Sequence, residues 1–264
     1  MKVAWKWTAG LAALTCAVLL YGADDWPFAG RFSDLQLLPP QTVQPHEFTW
    51  VRIIYNGRLP GYYKNWYTDY PKGDRQLIEV LGRLTGIDIA PEERALPINH
   101  PDLQNYPFIY SAEAGQMVLD NEDAARLREY LKRGGFWMVD DFWGSFEWSN
   151  FEEQIRKVFP DRQIVDLPRT HPIFNCFFEI DHIVQVPNVG IAYCTGDCPT
   201  WEQDGFRPEV KGLFDDDGRL LILIVHNSDL MDGSEWADEP AYAEKYSAFS
   251  FKVFSNAVIY AMTH

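Results

Sequence analysis

Apolar residues recur at helical spacing in residues 120–144, DNEDAARLREYLKRGGFWMVDDFWG, and the pattern then changes abruptly. Ala124, Leu127 and Leu131 form the stripe of an amphipathic helix, with Asp120 or Asn121 placed to cap it and Glu122–Arg126 as an exposed (i, i+4) pair. Gly134 and Gly135 end it, because glycine takes the left-handed cap without a Cβ penalty. Residues 136–139, FWMV, are apolar without interruption, the pattern of a strand covered on both faces. Asp140 and Asp141 follow at its carboxyl end.

The same rules predict the other elements. Residues 48–55, FTWVRIIY, are rich in β-branched and aromatic side chains and read as the first strand. A long turn-rich loop, 56–73, follows, and long loops in compact domains tend to carry function. Leu77, Val80, Leu81 and Leu84 then mark a helix, with Asp74 at its start and Gly86 at its end. Residues 87–90 and 96–99 are short and ambiguous, 106–111 reads as a strand, 147–159 as a helix and 163–167 as a short strand. Residues 212–227 predict a β-hairpin turning at Asp217-Gly218, with LLILIV as its buried strand, and 240–263 a final helix. Strands alternating with helices indicate an α/β fold: a mostly parallel sheet flanked by helices, with the hairpin added.

The N-terminus reads as an address. Lys2 and Lys6 precede an apolar run, 11–20 (LAALTCAVLL), and then small residues Gly22 and Ala23, as in a secretory signal peptide. The run is short and soon meets Asp24 and Asp25, which favours cleavage over a retained anchor and leaves no stable membrane insertion afterwards. The expected organisation is a signal peptide over 1–23, a Pro/Gln-rich linker or arm over 24–47, and a single α/β domain over 48–264. The expected location is periplasmic or secreted.

Composition narrows the partners. With 47% hydrophobic residues the chain can bury a substantial core, and a formal charge of −15 repels phosphate backbones, so nucleic acid is excluded as the main partner. Cys176, Cys194 and Cys198 are disulfide candidates for an oxidising compartment: Cys194 with Cys198, or one of them with Cys176. The C-x3-C spacing has no evident fourth ligand for zinc.

Candidate chemistry gathers at strand ends, where ligands bind in open α/β sheets. The candidates are Asp69 and Asp74 after the first strand, Asp140, Asp141 and Trp143 after FWMV, His226, Asn227 and Asp229 after LLILIV, and Asp232 and Trp236 just beyond, beside Glu235. Bland roles stand beside these: Asp74 as a helix cap, Asp69 in an Asx-turn, His226 as a hydrogen-bonded core-edge residue, and Asp140 and Asp141 sent to opposite sides by strand alternation. Aromatic residues concentrate in loops, at Tyr62, Tyr63, Trp66, Tyr67, Tyr70, Trp143, Trp148 and Trp236, where rings beside carboxylates suit a glycan or else seal the loops onto the core. No nucleophile elbow, P-loop, dinucleotide fingerprint or HExxH occurs, which disfavours covalent acyl transfer and nucleotide use.

Several stretches in order, FTWVRIIYNG, WYTDYPKGDRQLIEVLGRLTGI, YPFIYSAEAGQMVL, LREYLKRGGFWMVDDFWG, HPIFNCFFEI, QVPNVG, GLFDDDGRLLILIVHNSDLMDGSEW and NAVIYAMTH, resemble the bacterial domain-of-unknown-function family 4159 over residues 48–264. That family is distantly similar to class I glutamine amidotransferase-like domains, which implies a flavodoxin-like three-layer sandwich. In that likeness Asp140-Asp141 falls where the amidotransferase nucleophile would stand. The cysteine is absent, so glutaminase activity does not carry over.

Three functional readings follow. The first is an exported ligand-binding or accessory protein of the cell envelope that holds a polar small molecule or glycan in an acidic crevice and needs no cofactor. The second is a metal-assisted hydrolase with a divalent ion on Asp140, Asp141, His226 and Asp229. The third is a structural protein of an envelope assembly, with a protein partner, no chemistry, and a crevice plugged by Trp143 or Trp236.

Overall fold

The computed structural model of the protein describes residues 46–58, 65–194 and 198–264. The expected signal peptide, nearly all of the expected arm, and Tyr62 and Tyr63 lie outside the described residues.

The central sheet is built from β1 (Val51–Ile54), β3 (Arg94–Pro97), β4 (Phe108–Ser111), β6 (Phe136–Val139), β7 (Val165–Asp166), β8 (Glu209–Phe214) and β9 (Leu220–His226). Its order is β3-β1-β4-β6-β9-β8-β7. The first five of these are mutually parallel, whereas β8 runs antiparallel to both β9 and β7. The fold is therefore mixed α/β with a mostly parallel sheet, and β8–β9 is the expected hairpin. A separate two-stranded pair, β2 (Asn56–Gly57) with β5 (Met117–Val118), is one the periodicity does not reveal.

Side-chain alternation explains why both faces of the sheet are covered. Trp50, Phe108, Tyr110, Phe136 and Met138 face α1 (Lys72–Thr85) and the last helix, α6 (Glu244–Thr263). Val51, Ile53, Ile109, Trp137 and Val139 face α2 (Asn121–Lys132) and α3 (Gly144–Val158). α2 follows its expected pattern: the Asp120 side chain accepts from Asp123 N at 2.8 Å, and Ala124, Leu127 and Leu131 are buried. Each such leucine contributes about 1.5–3 kcal/mol by leaving water. Gly134, at φ 107°, makes the stop.

Several boundaries differ from expectation. α1 begins two residues before Asp74, so Asp74 is not its cap. α3 begins at Gly144 rather than 147. Residues 87–90 form only a bridge, Phe48 to Ile89, and the edge strand is β3. Two short helices, α4 (Val189–Ala192) and α5 (Leu230–Glu235), have too few residues to show a period.

The functional geometry follows from strand order. The chain leaves β1 to one side for β3 and returns on the other for β4. Crevices in open α/β sheets form at such reversals, beyond the carboxyl ends of the strands. The β1–α1 loop, the turn after β6 and the turn from β9 into α5 all lie at those ends.

Candidate functional site

Arg52 sits on β1 with its side chain fully buried, and everything around it is arranged to satisfy it. Its Nε donates to Asp74 Oδ1 at 3.0 Å and its Nη2 to Asp74 Oδ2 at 2.7 Å, a bidentate pair. Trp50 Nε1 donates to the same carboxylate at 2.5 Å. The remaining nitrogen, Nη1, donates to Trp66 O at 2.9 Å and Thr68 O at 2.6 Å. Asp74 is thus the counter-ion of a buried arginine and not a free ligand. The pair also tethers the β1–α1 loop immediately before Asp69.

Asp69 is half-buried as a residue, yet its Oδ2 is sealed from solvent and has no hydrogen-bond partner among the described residues. Its backbone is left-handed, φ 63°, and Gly73 N donates to its carbonyl at 2.9 Å. A Cβ on Gly73 would lie 2.8 Å from the Met231 side chain, so glycine there lets α1 approach α5. Ser234 Oγ, on α5, closes that contact by donating to Gly73 O at 2.9 Å.

Asp141 and Asp229 reach the same place from two other strand ends. Beyond β6 and β9 the pairing continues, with Asp141 N donating to Ser228 O and Asn227 N to Phe142 O, each at 3.0 Å. Asp141 also has left-handed backbone, φ 54°, a strained conformation for a non-glycine residue. Its Oδ1 accepts from Trp143 Nε1 at 3.1 Å. Asp229 caps α5, its Oδ1 accepting from Asp232 N at 2.9 Å. One carboxylate oxygen each from Asp69, Asp141 and Asp229 lie within 4.8 Å of one another, as do one each from Asp69, Asp232 and Glu235.

That crowding has an electrostatic cost. Unit charges closer than 4.8 Å repel by roughly 3 kcal/mol or more per pair at an effective dielectric of about 20. Burial, then the charges of Asp232 and Asp141, hold the Asp69 carboxyl well above the usual carboxylate range. Burial, then Asp141, Asp232 and Asp69, do the same to Asp229. Burial raises Asp232, and burial followed by Asp232 raises Glu235. A cation would relieve all of these together. Carboxylate oxygens alone suit hard divalent ions such as Mg²⁺, Ca²⁺ or Mn²⁺.

Asp140 is not in either group. Strand alternation turns it to the other side from Asp141, where Tyr110 Oη donates to Oδ1 at 2.5 Å and Leu230 N to Oδ2 at 2.9 Å. Burial pushes its pKa up to about 7.

His226 also stands apart. Its Nδ1 is 3.2 Å from Glu209 Oε2, its cross-strand neighbour, and its Nε2 is 3.2 Å from Gly144 O. Both ring nitrogens are engaged, and burial lowers its pKa. The expected metal set of Asp140, Asp141, His226 and Asp229 is therefore not gathered as a set. Asp141 and Asp229 meet, with Asp69 joining them. His226 instead lines an open cleft of about 440 Å³ with Trp148, Asp204, Phe206, Arg207 and Lys211.

The remaining candidates serve as scaffold. Asn227, at φ 59°, accepts from Gly144 N at 2.8 Å and donates to Arg207 O at 2.9 Å. Trp143 is buried, whereas Trp236 is half-buried, donates to Asp232 Oδ1 at 3.0 Å and carries Lys72 Nζ 4.4 Å over its ring. Cys194 and Cys198 form a disulfide, and Cys176 is a half-buried free thiol. Arg52 and Tyr110 escaped the sequence reading. The available signal was an arginine inside the apolar run FTWVRIIY, since a charge in a covered strand needs a partner.

No curated protein matches the chain. Residues 49–262 match the model of the family described as Domain of unknown function (DUF4159). That match spans most of the chain, and the protein belongs to the DUF4159 family.

Proposed function

We propose that the protein is a divalent-cation-dependent domain in which Asp69, Asp141 and Asp229 hold the ion, and the ion anchors a polar, oxygen-bearing ligand. The observation that carries this reading is Asp69: its buried Oδ2 lacks a hydrogen-bond partner among the described residues, while its carboxylate faces two others within 4.8 Å. A buried, unpaired carboxylate is costly, and a bound cation removes the cost. The ion would also polarise a bound oxygen, which is the route from binding to metal-assisted hydrolysis. The pair Asp140-Asp141, at the strand–turn–helix junction between β6 and α3, falls about where the amidotransferase likeness would put a nucleophile, but an aspartate there is better suited to hold an ion than to attack an amide.

The setting we propose is outside the cytosol, in the periplasm or secreted, at the cell envelope. The leader-like residues 1–23 and the Cys194–Cys198 disulfide both favour an oxidising compartment. Among the described residues no helix is long and apolar enough to cross a membrane.

The test is calorimetric titration of the chelator-treated chain with Mg²⁺, Ca²⁺ and Mn²⁺ alone, alongside thermal unfolding. At least one ion should bind and raise the melting temperature, and Asp69→Asn should abolish both effects. Absence of any ion binding in the wild-type chain sinks the reading.

A second reading has its own observation. The cleft beside His226 presents the half-buried Trp148 and the exposed ring of Phe206, at 62% exposure, next to charged groups, a surface suited to a glycan. Glycan fragments that shift the melting temperature of wild-type protein but not of Phe206→Ala would support it.

A further inference from the structure

The cleft beside His226 is lined on one side by a segment, residues 204–207, that is exposed yet firmly held. Asn227 Nδ2 donates to Arg207 O at 2.9 Å, Gln185 Nε2 to Gly205 O at 2.9 Å, and Ser145 N to Asp204 Oδ1 at 2.8 Å. A Cβ on residue 205 would lie 2.4 Å from Asn227 Oδ1, so glycine there is what lets the segment seat against the end of β9. The Phe206 ring is consequently presented to solvent from a fixed backbone, and Trp201 meets it edge-on with ring centroids 5.6 Å apart. An exposed ring is ordinary by itself, but one that is anchored and backed by a second ring, in a cleft of ligand size that holds Trp148 as well, forms a preorganised surface.

The charges of the cleft are unequally committed. Lys211 Nζ lies 2.5 Å from Asp166 Oδ1 and 3.4 Å from Glu209 Oε2, and Glu209 also faces His226 Nδ1 at 3.2 Å. Asp204 accepts from Ser145 N at the N-terminal end of α3, where the helix dipole favours a negative group. Arg207 differs: it is exposed and, among the described residues, enters no ion pair. Its guanidinium therefore presents a fork of donors that matches a carboxylate in two parallel hydrogen bonds.

We infer that this cleft selects an acidic glycan, a saccharide bearing a carboxylate, with the sugar faces on Phe206 and Trp148 and the carboxylate on Arg207. This rests on the glycan reading of the cleft and names the class of sugar it takes. The rings cover the apolar C–H faces of the saccharide. Asp204 and Glu209 keep lone pairs that accept from sugar hydroxyls, so the two carboxylates serve the neutral part of the ligand and the guanidinium its charge. A surface of net charge −15 repels anions elsewhere, which makes the unpaired arginine the group that decides the preference.

The experiment is calorimetric titration and thermal unfolding of the full chain in chelator, which silences the cation site, with tetragalacturonate and its neutral methyl ester as probes. Wild-type protein should bind the acid at least tenfold more tightly than the ester. Arg207→Gln should remove that preference while leaving the ester affinity unchanged, and Arg207→Lys should restore only part of it. Phe206→Ala should weaken both probes at least fivefold. Equal binding of acid and ester by the wild-type chain overturns the selection and leaves the glycan reading standing. A preference that survives in Arg207→Gln overturns the role of the arginine. Acetate that raises the melting temperature as much as the tetramer, at equal carboxylate concentration, overturns the role of the rings. Binding of neither saccharide overturns the inference and the glycan reading together.

Discussion

Two buried acidic systems lie side by side at the carboxyl rim of this sheet, and they have opposite characters. Around Asp74 every demand is met: a bidentate arginine, a tryptophan N–H, and two loop carbonyls that absorb the other guanidinium donors. Around Asp69, Asp141 and Asp229 the acids face each other, and one oxygen is sealed off without a partner among the described residues. Burial of charge by itself therefore says little about function. The first system is completed by the chain and acts as architecture. In the reading proposed above, the second is completed by a bound cation. They are also coupled, because the arginine that satisfies Asp74 anchors the loop that delivers Asp69.

The comparison breaks most severely at Asp74. Asp74→Ala leaves the Arg52 guanidinium buried and unpaired, which should cost about 3–5 kcal/mol in denaturant unfolding. Divalent cations should not rescue that variant, because the loop carrying Asp69 loses its anchor. If Asp74→Ala unfolds like wild type, the pair is not the structural element described here.

Tyr110→Phe tests the intermediate case, Asp140, whose carboxyl is satisfied by one hydroxyl and one backbone N–H. Loss of the hydroxyl should cost about 1–3 kcal/mol while cation binding at Asp69 remains. Loss of cation binding in a folded Tyr110→Phe would merge Asp140 with the neighbouring cluster.

Asp69→Asn should move stability the other way. Removing one of several crowded like charges should raise the metal-free stability at neutral pH by on the order of 1 kcal/mol, seen as a higher denaturant midpoint. A destabilised metal-free variant would mean that the acids are satisfied without a cation.

The smallest effect concerns His226 and appears as a pH slope. Burial holds its folded pKa below 6.5, so the unfolded imidazole takes up a proton at higher pH than the folded one. Stability should therefore fall as pH drops below about 6.5 towards the folded pKa, by at most about 1.4 kcal/mol per pH unit from this group. His226→Gln should flatten that part of the stability profile. An unchanged slope would assign the acid sensitivity elsewhere.

Much of this could be read along the chain, and for local reasons. The helix α2, its cap and stop, the strand FWMV and the hairpin strand LLILIV are each encoded by a period and a terminating residue within a few positions. The two aspartates after FWMV were legible as a strand end, and alternation already separated them. The helix α5 was not legible, since six residues hold too little periodicity, and so Asp229 was not recognisable as its cap. Asp74 was misread because cap preference is a local rule, while its partner sits 22 residues away on β1. His226 looked like a neighbour of Asp229 in sequence, but strand pairing gives it to Glu209 and the open cleft.

The sequence by itself determined the alternation of the longer strands and helices, the α/β class and the placing of acidic loops at strand ends, because hydrophobic period and turn chemistry act over short range. Only the tertiary structure decided which acids are neutralised and which are left facing one another. Neutralisation depends on partners from distant strands meeting in a low-dielectric interior, and neither distance nor burial is written in any one segment.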